Sequence, residues 1–149
     1  MTEGRDQAMM DIQEKIEVDL KLLGSTAIED KLQDEVGETI FRLKEAGIKV
    51  WVLTGDKVET AINIGYACKL LNDDMDQYHI TAEDKEGVNA DLDKAIAELD
   101  KNYDPEKSNN AMVITGQALI HAAKGELPKK VMSIGDRCKV VIACRVSPK

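Results

Sequence analysis

The sequence predicts an α/β fold in which a parallel sheet carries helices on both faces. Short apolar runs recur at Ile48–Leu53, Ala111–Thr115 and Lys139–Ala143. Continuous runs of this length, rich in β-branched residues, mark strands buried on both faces. Helical patterning lies between them: Leu32, Val36, Ile40 and Leu43 recur every three or four residues, as do Val88, Leu92, Ile96 and Leu99. Strands alternating with helices build a parallel sheet, because each return to the next strand needs a long crossover.

The elements follow in order. Met1 to Asp11 reads as a polar, frayed tail, and Asp11–Asp19 as a short amphipathic helix carrying Ile12 and Ile16. Leu20–Ile28 is expected to be a strand. A helix follows from about Leu32, with Gly47 as its left-handed cap. The apolar run Ile48–Leu53 is expected to be the central strand, with Trp51 packed in the core. The pattern breaks at Thr54-Gly55-Asp56, and a helix is predicted from about Lys57 to Leu71. Asp56 is placed at its N-cap, with Glu59 reaching back. Asn72–Asp76 reads as an acidic turn, Gln77–Thr81 as a short strand, and Glu83–Asn102 as a surface helix with a narrow apolar stripe. Asp104-Pro105 ends that helix, and Ser108–Asn110 is loop. Then come the strand Ala111–Thr115, a turn at Gly116, and a short helix Gln117–Ala123. A helix beginning at Glu126 or Pro128 runs through Ile134, and the last strand is Lys139–Ala143. His79 and His121 have no partner at ligand spacing and read as solvated or edge histidines.

Composition narrows the function. A chain of 149 residues is one domain's worth. Its net charge of −8, with no basic cluster along the sequence, argues against nucleic acid and anionic membrane surfaces. No apolar run approaches the ~20 residues that span a bilayer. Cys68, Cys138 and Cys144 fit no zinc spacing and no disulfide framework. They read as small apolar residues in a reducing compartment.

A strand that passes through Thr54-Gly55 into a helix start is a ready anion site. The first backbone N–H groups of a helix have no internal acceptor, and the helix dipole favours negative charge there. In open α/β sheets ligands sit beyond the carboxyl ends of the strands. Gly55 lets an oxyanion approach the backbone, and the Thr54 hydroxyl can donate to it. An ionised Asp56 would repel a phosphate unless a metal or a donor stood between them. The competing reading is a plain turn, since strand-to-helix loops are rich in these residues.

Three stretches carry a resemblance. Ile48 to Cys68 reads Ile-Lys-Val-Trp-Val-Leu-Thr-Gly-Asp-Lys-Val-Glu-Thr-Ala-Ile-Asn-Ile-Gly-Tyr-Ala-Cys. It resembles the phosphorylation domain of P-type ATPases, above all the type IV branch, the phospholipid flippases. Leu22 to Gln33 is similar to the segment where that family's chain returns from its nucleotide-binding domain. Val140 to Pro148 is similar to a later strand and loop of the same domain. The resemblance implies an incomplete phosphorylation domain with a Rossmann-like parallel sheet of haloacid-dehalogenase type. Residues 1–19 would be a tail and helix from the end of the nucleotide-binding domain, and 20–149 the partial phosphorylation domain. A variable insertion would occupy about 72–110.

The resemblance also implies chemistry: phosphoryl transfer from ATP to an aspartate with Mg2+, then hydrolysis of the acyl phosphate, coupled to phospholipid movement between leaflets. The family's Asp-Lys-Thr-Gly-Thr nucleophile and its Gly-Asp-Gly-x-Asn-Asp metal motif are absent from this sequence. No catalytic residue and no metal ligand is therefore assigned. Gly135-Asp136-Arg137 is a partial match, and Asp136 reads as an exposed helix residue. Thr54 and Gly55 are implied to hold phosphoryl oxygens, Asp56 to belong to the same site, and Arg145 to meet the nucleotide, its donor fork suiting ribose and phosphate oxygens. Arg145 could equally pair with a nearby carboxylate. Asp30 is implied to lie near an interdomain hinge, although from sequence alone it reads as a helix-start carboxylate. The family's phosphate lysine falls beyond Lys149. Where flippases commonly carry an Asp, this chain has Thr115.

Implied partners are ATP, a phospholipid reached through a membrane domain, and an accessory membrane subunit. The implied location is the cytosolic part of a multi-pass membrane protein. Two alternatives stay open: a soluble phosphatase of the same superfamily, and a non-catalytic interaction module.

Overall fold

The computed structural model describes residues 4–27, 31–105, 107 and 109–147. The chain divides into two compact units, residues 1–31 and 32–149. The first contains α1, Arg5–Ile16. The helix thus begins earlier than the polar N-terminal sequence suggests, after Gly4 at φ 91°. No strand forms from the described residues of Leu20–Ile28, where one is expected. Residues 20–27 have no regular structure, and Leu20, Leu22 and Leu23 are exposed. A strand exists only through pairing, and none of the four strands of the sheet comes from this segment. Asp30 and Lys149 lie outside the described residues.

The second unit is a four-stranded parallel sheet flanked by helices. Its strands are β1 (Val50–Leu53), β2 (Asp76–Ile80), β3 (Asn110–Thr115) and β4 (Val140–Cys144), in the spatial order β1-β4-β3-β2. The register pairs Val50 with Val140, Ala111 with Val140, and Asp76 with Asn110. The α/β reading holds, but the strand bearing the Thr-Gly-Asp loop is at an edge, not in the centre.

Each sheet face has its own core. On one side Ile80, Met112, Ile114 and Val141 meet α4 (Lys85–Asn102), α5 (Gly116–Ala122) and α6 (Leu127–Arg137). On the other, Val113, Val140, Ile142 and Cys144 meet α3 (Val58–Ala67), with Val36 and Ile40 of α2 (Val36–Glu45) at the margin. The α4 stripe is the predicted one: Val88, Leu92 and Leu99 are fully buried and Ile96 partly so. The Asp84 carboxylate caps α4 by accepting from the N–H groups of Glu86 and Gly87 at 3.0 and 2.9 Å. Arg137 and Lys130 of α6 pair with Asp100 and Asp93 of α4.

Trp51 corrects the central-strand expectation. It is 51% exposed, and Leu53 is 71% exposed, because β1 has a neighbour on one side alone. The Trp51 ring lies along α6 near Gly135. Cys68, Cys138 and Cys144 are buried and free. Burial pushes the Cys138 thiol up to about 12, against the weaker pull of Lys49 and Arg137.

Two helix ends share one geometry. In α2, Gly47 N–H donates to Lys44 O and Ile48 N–H to Leu43 O, with Gly47 at φ 77°. In α3, Lys69 N–H donates to Tyr66 O and Leu70 N–H to Gly65 O, with Lys69 at φ 58°. Both are Schellman endings, in which a left-handed residue turns the last N–H groups back onto the helix. The predicted Gly47 cap is therefore correct. The second ending stops α3 at Ala67, short of Leu71, and places a lysine where glycine is the comfortable residue.

Candidate functional site

The carboxyl ends of the four strands converge on one edge of the second unit, and the predicted site residues lie there. The Thr54 N–H donates to Ala143 O at 2.9 Å, continuing the β1–β4 ladder by one residue. The Arg145 N–H then donates to Asp56 O at 2.9 Å and the Val146 N–H to Thr54 O at 3.1 Å. The Thr-Gly-Asp loop and the Arg145 turn are thus tied together by backbone hydrogen bonds.

The side chains add a second level. The Thr54 hydroxyl donates to Asp56 Oδ2 at 2.6 Å, and the Asp56 N–H donates back to Thr54 Oγ1 at 3.2 Å. This closed pair corrects the capping prediction. Asp56 does not cap α3; Lys57 occupies the N-cap position and no side chain caps it. The Asp56 carboxylate is occupied by Thr54, one residue before the position from which a cap can reach. The first-turn N–H groups of α3 are left without an intrahelical or side-chain acceptor. The Thr54 proton, assigned by sequence to an incoming oxyanion, is committed to Asp56.

Gly55 is exposed, and its φ is not left-handed. A Cβ there would meet Val146 O at 3.6 Å, an ordinary contact. Nothing within the fold requires glycine at this position. Gly116, which sequence reasoning treated only as a turn, is different. A Cβ on it would overlap the Arg145 carbonyl oxygen and lie 3.1 Å from the carbonyl carbon. Gly116 lets the β3–α5 junction pack directly under the Arg145 backbone, which is held at φ 51°. Its signal in the sequence was its place: it directly follows a strand, at the end where ligands collect.

Beside this junction is a cleft of 840 Å³, lined by Arg145 together with Val58, Thr81, Glu83, Gly116 and Gln117 among others. The Arg145 side chain forms no ion pair among the described residues, so the predicted alternative of a neighbouring carboxylate is not realised there. Thr54, Gly55 and Asp56 do not line the cleft. They join it through the backbone of Arg145 and Val146. Thr115 is buried at the end of β3, and its hydroxyl accepts from Ala118 N–H at 3.2 Å, so it serves as the N-cap of α5.

Other candidates separate from this site. Asp136 is exposed at the far end of α6, and its carbonyl accepts from Lys49 Nζ at 2.7 Å. It lies at the opposite end of the sheet from Thr54, since α6 ends where β4 begins. His79 is exposed on the edge strand β2, and His121 Nε2 contacts Glu83 O at 3.0 Å. Among the described residues no three His, Cys, Asp or Glu come together to hold a metal ion. These residues do not by themselves fit a magnesium site. Nor, among them, is any helix long and apolar enough to cross a membrane.

Comparison with known proteins bears on this geometry. The chain is 46% identical, over 97% of its length, to a phospholipid-transporting ATPase of Schizosaccharomyces pombe. It is 48% identical over 89% of its length to one of Saccharomyces cerevisiae, and 41% identical over 98% to one of Chaetomium thermophilum. It spans 12%, 10% and 11% of those three relatives. The model of the haloacid dehalogenase-like hydrolase family matches residues 2–145. With this match over nearly its whole length and a parallel sheet covered on both faces, the chain belongs to the haloacid dehalogenase-like hydrolases.

Proposed function

We propose that the chain is the nucleotide- and phosphate-facing part of the phosphorylation domain of a phospholipid-transporting P-type ATPase. In the whole protein, ATP hydrolysis through an aspartyl phosphate would drive phospholipid from one leaflet to the other. The observation that supports this best is the pairing of two turns at one sheet edge. The Thr54–Asp56 loop opens onto the uncapped start of α3, and Arg145 is held beside it by the bond from its N–H to Asp56 O. Backbone donors and one guanidinium at this edge are the kinds of group that suit an anionic ligand.

In this reading Gly55 keeps the approach to the α3 N–H groups open. Thr54 reaches a phosphoryl oxygen only by releasing Asp56. The freed Asp56 carboxylate then needs a cation, a lysine or a metal-bound water to offset it. Arg145 takes the nucleotide from the cleft side. Mg2+ and ATP are the cofactors of the whole protein, and its carboxylate nucleophile and magnesium ligands would come from other parts of it. Residues 1–19 are read as the end of the nucleotide-binding domain, 20–149 as part of the phosphorylation domain, and 72–110 as an insertion particular to this branch. Phosphoryl transfer is mostly positioning and charge stabilisation, which these residues can share in without performing it. Alone, the chain should bind nucleotide weakly, through a few hydrogen bonds of ~1 kcal/mol net each.

The test is an amide-resolved NMR titration of the chain with ATP and Mg2+, alongside an assay of p-nitrophenyl phosphate hydrolysis. Perturbations at Thr54–Glu59 and Arg145, reduced in Arg145→Ala, with no hydrolysis, are the expected result. Absence of shifts at both turns would sink the site assignment. Turnover of the phosphate ester would point instead to a free-standing phosphatase.

A further inference from the structure

At the amino end of the same sheet is a recess of 520 Å³ lined by Lys44, Lys69, Lys139, Phe41, Tyr66 and Asn109, with Glu45, Leu71 and Asn72 completing it. The three lysines are far apart in sequence. Lys44 is in the last turn of α2, Lys69 follows α3, and Lys139 directly precedes β4. The fold brings three lysines to the lining of one recess in a chain whose net charge is −8.

Helix ends explain only part of this gathering. The carboxyl ends of α2 and α3 favour cations, and Lys44 Nζ donates to Leu70 O at 3.0 Å. Among the described residues, Lys69 and Lys139 make no ion pair and no side-chain hydrogen bond. Glu45 is the only carboxylate among the lining residues, and it pairs with none of them. Burial, then the like charge of Lys139, holds the Lys44 ammonium below its ordinary range. Crowded like charge of this kind is unfavourable until an anion arrives.

The rest of the recess is ordered for contact. Tyr66 Oη accepts from Gln77 Nε2 at 2.8 Å, and Asn109 Nδ2 donates to Asn72 Oδ1 at 3.1 Å. Tyr66 and Phe41 keep exposed ring surface. Lys69 itself stands at φ 58°, in the Schellman position where α2 uses Gly47. A lysine held there gives up backbone ease, and it lines the recess.

We infer that this recess binds a phosphate monoester, with Lys69 and Lys139 on the phosphate oxygens and the Phe41 and Tyr66 rings beside the body of the ligand. Two unpaired ammonium groups suit a dianion. A phosphate monoester carries close to two charges at neutral pH, where a carboxylate carries one. The monoester could belong to a soluble metabolite or to a lipid headgroup such as phosphatidic acid; the recognition chemistry is shared. The site is independent of the Thr54–Arg145 edge and does not rest on the function proposed for it.

The experiment is an amide-resolved NMR titration of the full chain with phenyl phosphate, with flotation on vesicles as a second arm. Shifts are expected at Lys69–Asn72, Asn109 and Lys139. Lys69→Gly and Lys139→Gln should each weaken binding by about tenfold or more, the loss of one charge-assisted pair, and Lys139→Arg should retain it. Lys69→Gly is the sharp variant. Glycine suits the left-handed position, so its melting temperature should be no lower than that of the parent chain while binding weakens. Binding should also weaken as salt is added. Flotation with equal parts phosphatidylcholine and phosphatidic acid, but not with phosphatidylcholine alone, and its loss in Lys69→Gly, identifies a lipid source. Phenyl phosphate binding without flotation identifies a soluble one. Shifts confined to Thr54–Glu59 and Arg145, unchanged affinity in Lys69→Gly, or no binding of either probe overturns the inference.

Discussion

β1 and β4 are nearly the same strand by composition, and they pair with each other. Val50-Trp-Val-Leu and Val140-Val-Ile-Ala-Cys are both apolar, both parallel and both lead into a turn of the candidate site. Yet β4 is buried at every position, whereas β1 alternates between half-buried and exposed. The difference is neighbours. β4 lies between β1 and β3 and is covered on both faces, whereas β1 pairs along one edge. The two strands are therefore unequally buried, yet the turns that follow them are joined by the Arg145–Asp56 and Val146–Thr54 hydrogen bonds.

That comparison can be broken most decisively in the core. Ile142→Ala in β4 removes a fully buried side chain and should cost ~2–5 kcal/mol in urea unfolding. Val52→Ala, on the half-buried face of β1, should cost about 1 kcal/mol, since less surface returns to water. Equal losses would show that β1 is as central to the fold as its sequence suggests.

The turns come next. Gly116→Ala forces a Cβ into the Arg145 carbonyl and should cost ~1–3 kcal/mol, the usual range for overpacking. Gly55→Ala should stay within about 0.5 kcal/mol, because its Cβ meets only an ordinary contact. Thermal melts of the pair check this. A stable Gly55→Ala chain that loses ATP-induced shifts would sharpen the view that the ligand, not the fold, requires glycine there. Thr54→Val removes the bond to Asp56 Oδ2 and should cost ~0.5–1.5 kcal/mol. Its amide shifts should centre on Asp56 and Arg145, carried by their shared hydrogen bond.

The smallest expected effect concerns Cys138, beside the junction of α6 and β4. Its folded-state value is raised from 9.0 to about 12 by burial. Its contribution to stability is fully present below 9.0 and is lost as the pH climbs through the folded value. Urea midpoints should fall over that alkaline window, and less steeply in Cys138→Ala. An identical alkaline slope in the variant would assign the loss to other groups.

Much of the fold was legible because it depends on local patterns. The Val88–Leu99 stripe, the runs at Ala111 and Val140, and the left-handed Gly47 each report on their immediate surroundings. Failures came where pairing or a competing side chain decides. Leu20–Ile28 has strand-like composition, but no strand forms from its described residues. Asp56 looked like a helix cap, and the Thr54 hydroxyl two residues away took its carboxylate instead. Thr54, Gly55, Asp56 and Arg145 are candidates by strand-end logic and resemblance, and the structure brings their two turns together through backbone hydrogen bonds. Gly116 was not assigned a role, because its requirement is a backbone approach from a segment some thirty residues on.

The sequence by itself determined the class of fold, the four strands of the sheet and the helices between them. Those follow from periodicity and from residue chemistry within a few positions; Arg145 became a candidate through resemblance alone. Tertiary structure alone decided that β1 is an edge, that Thr54 and Asp56 satisfy each other, and that Lys44, Lys69 and Lys139 share one recess. Each is a relation between segments distant in the chain or between side chains with more than one available partner. Local preference leaves such choices open, and packing makes them by admitting a single set of neighbours.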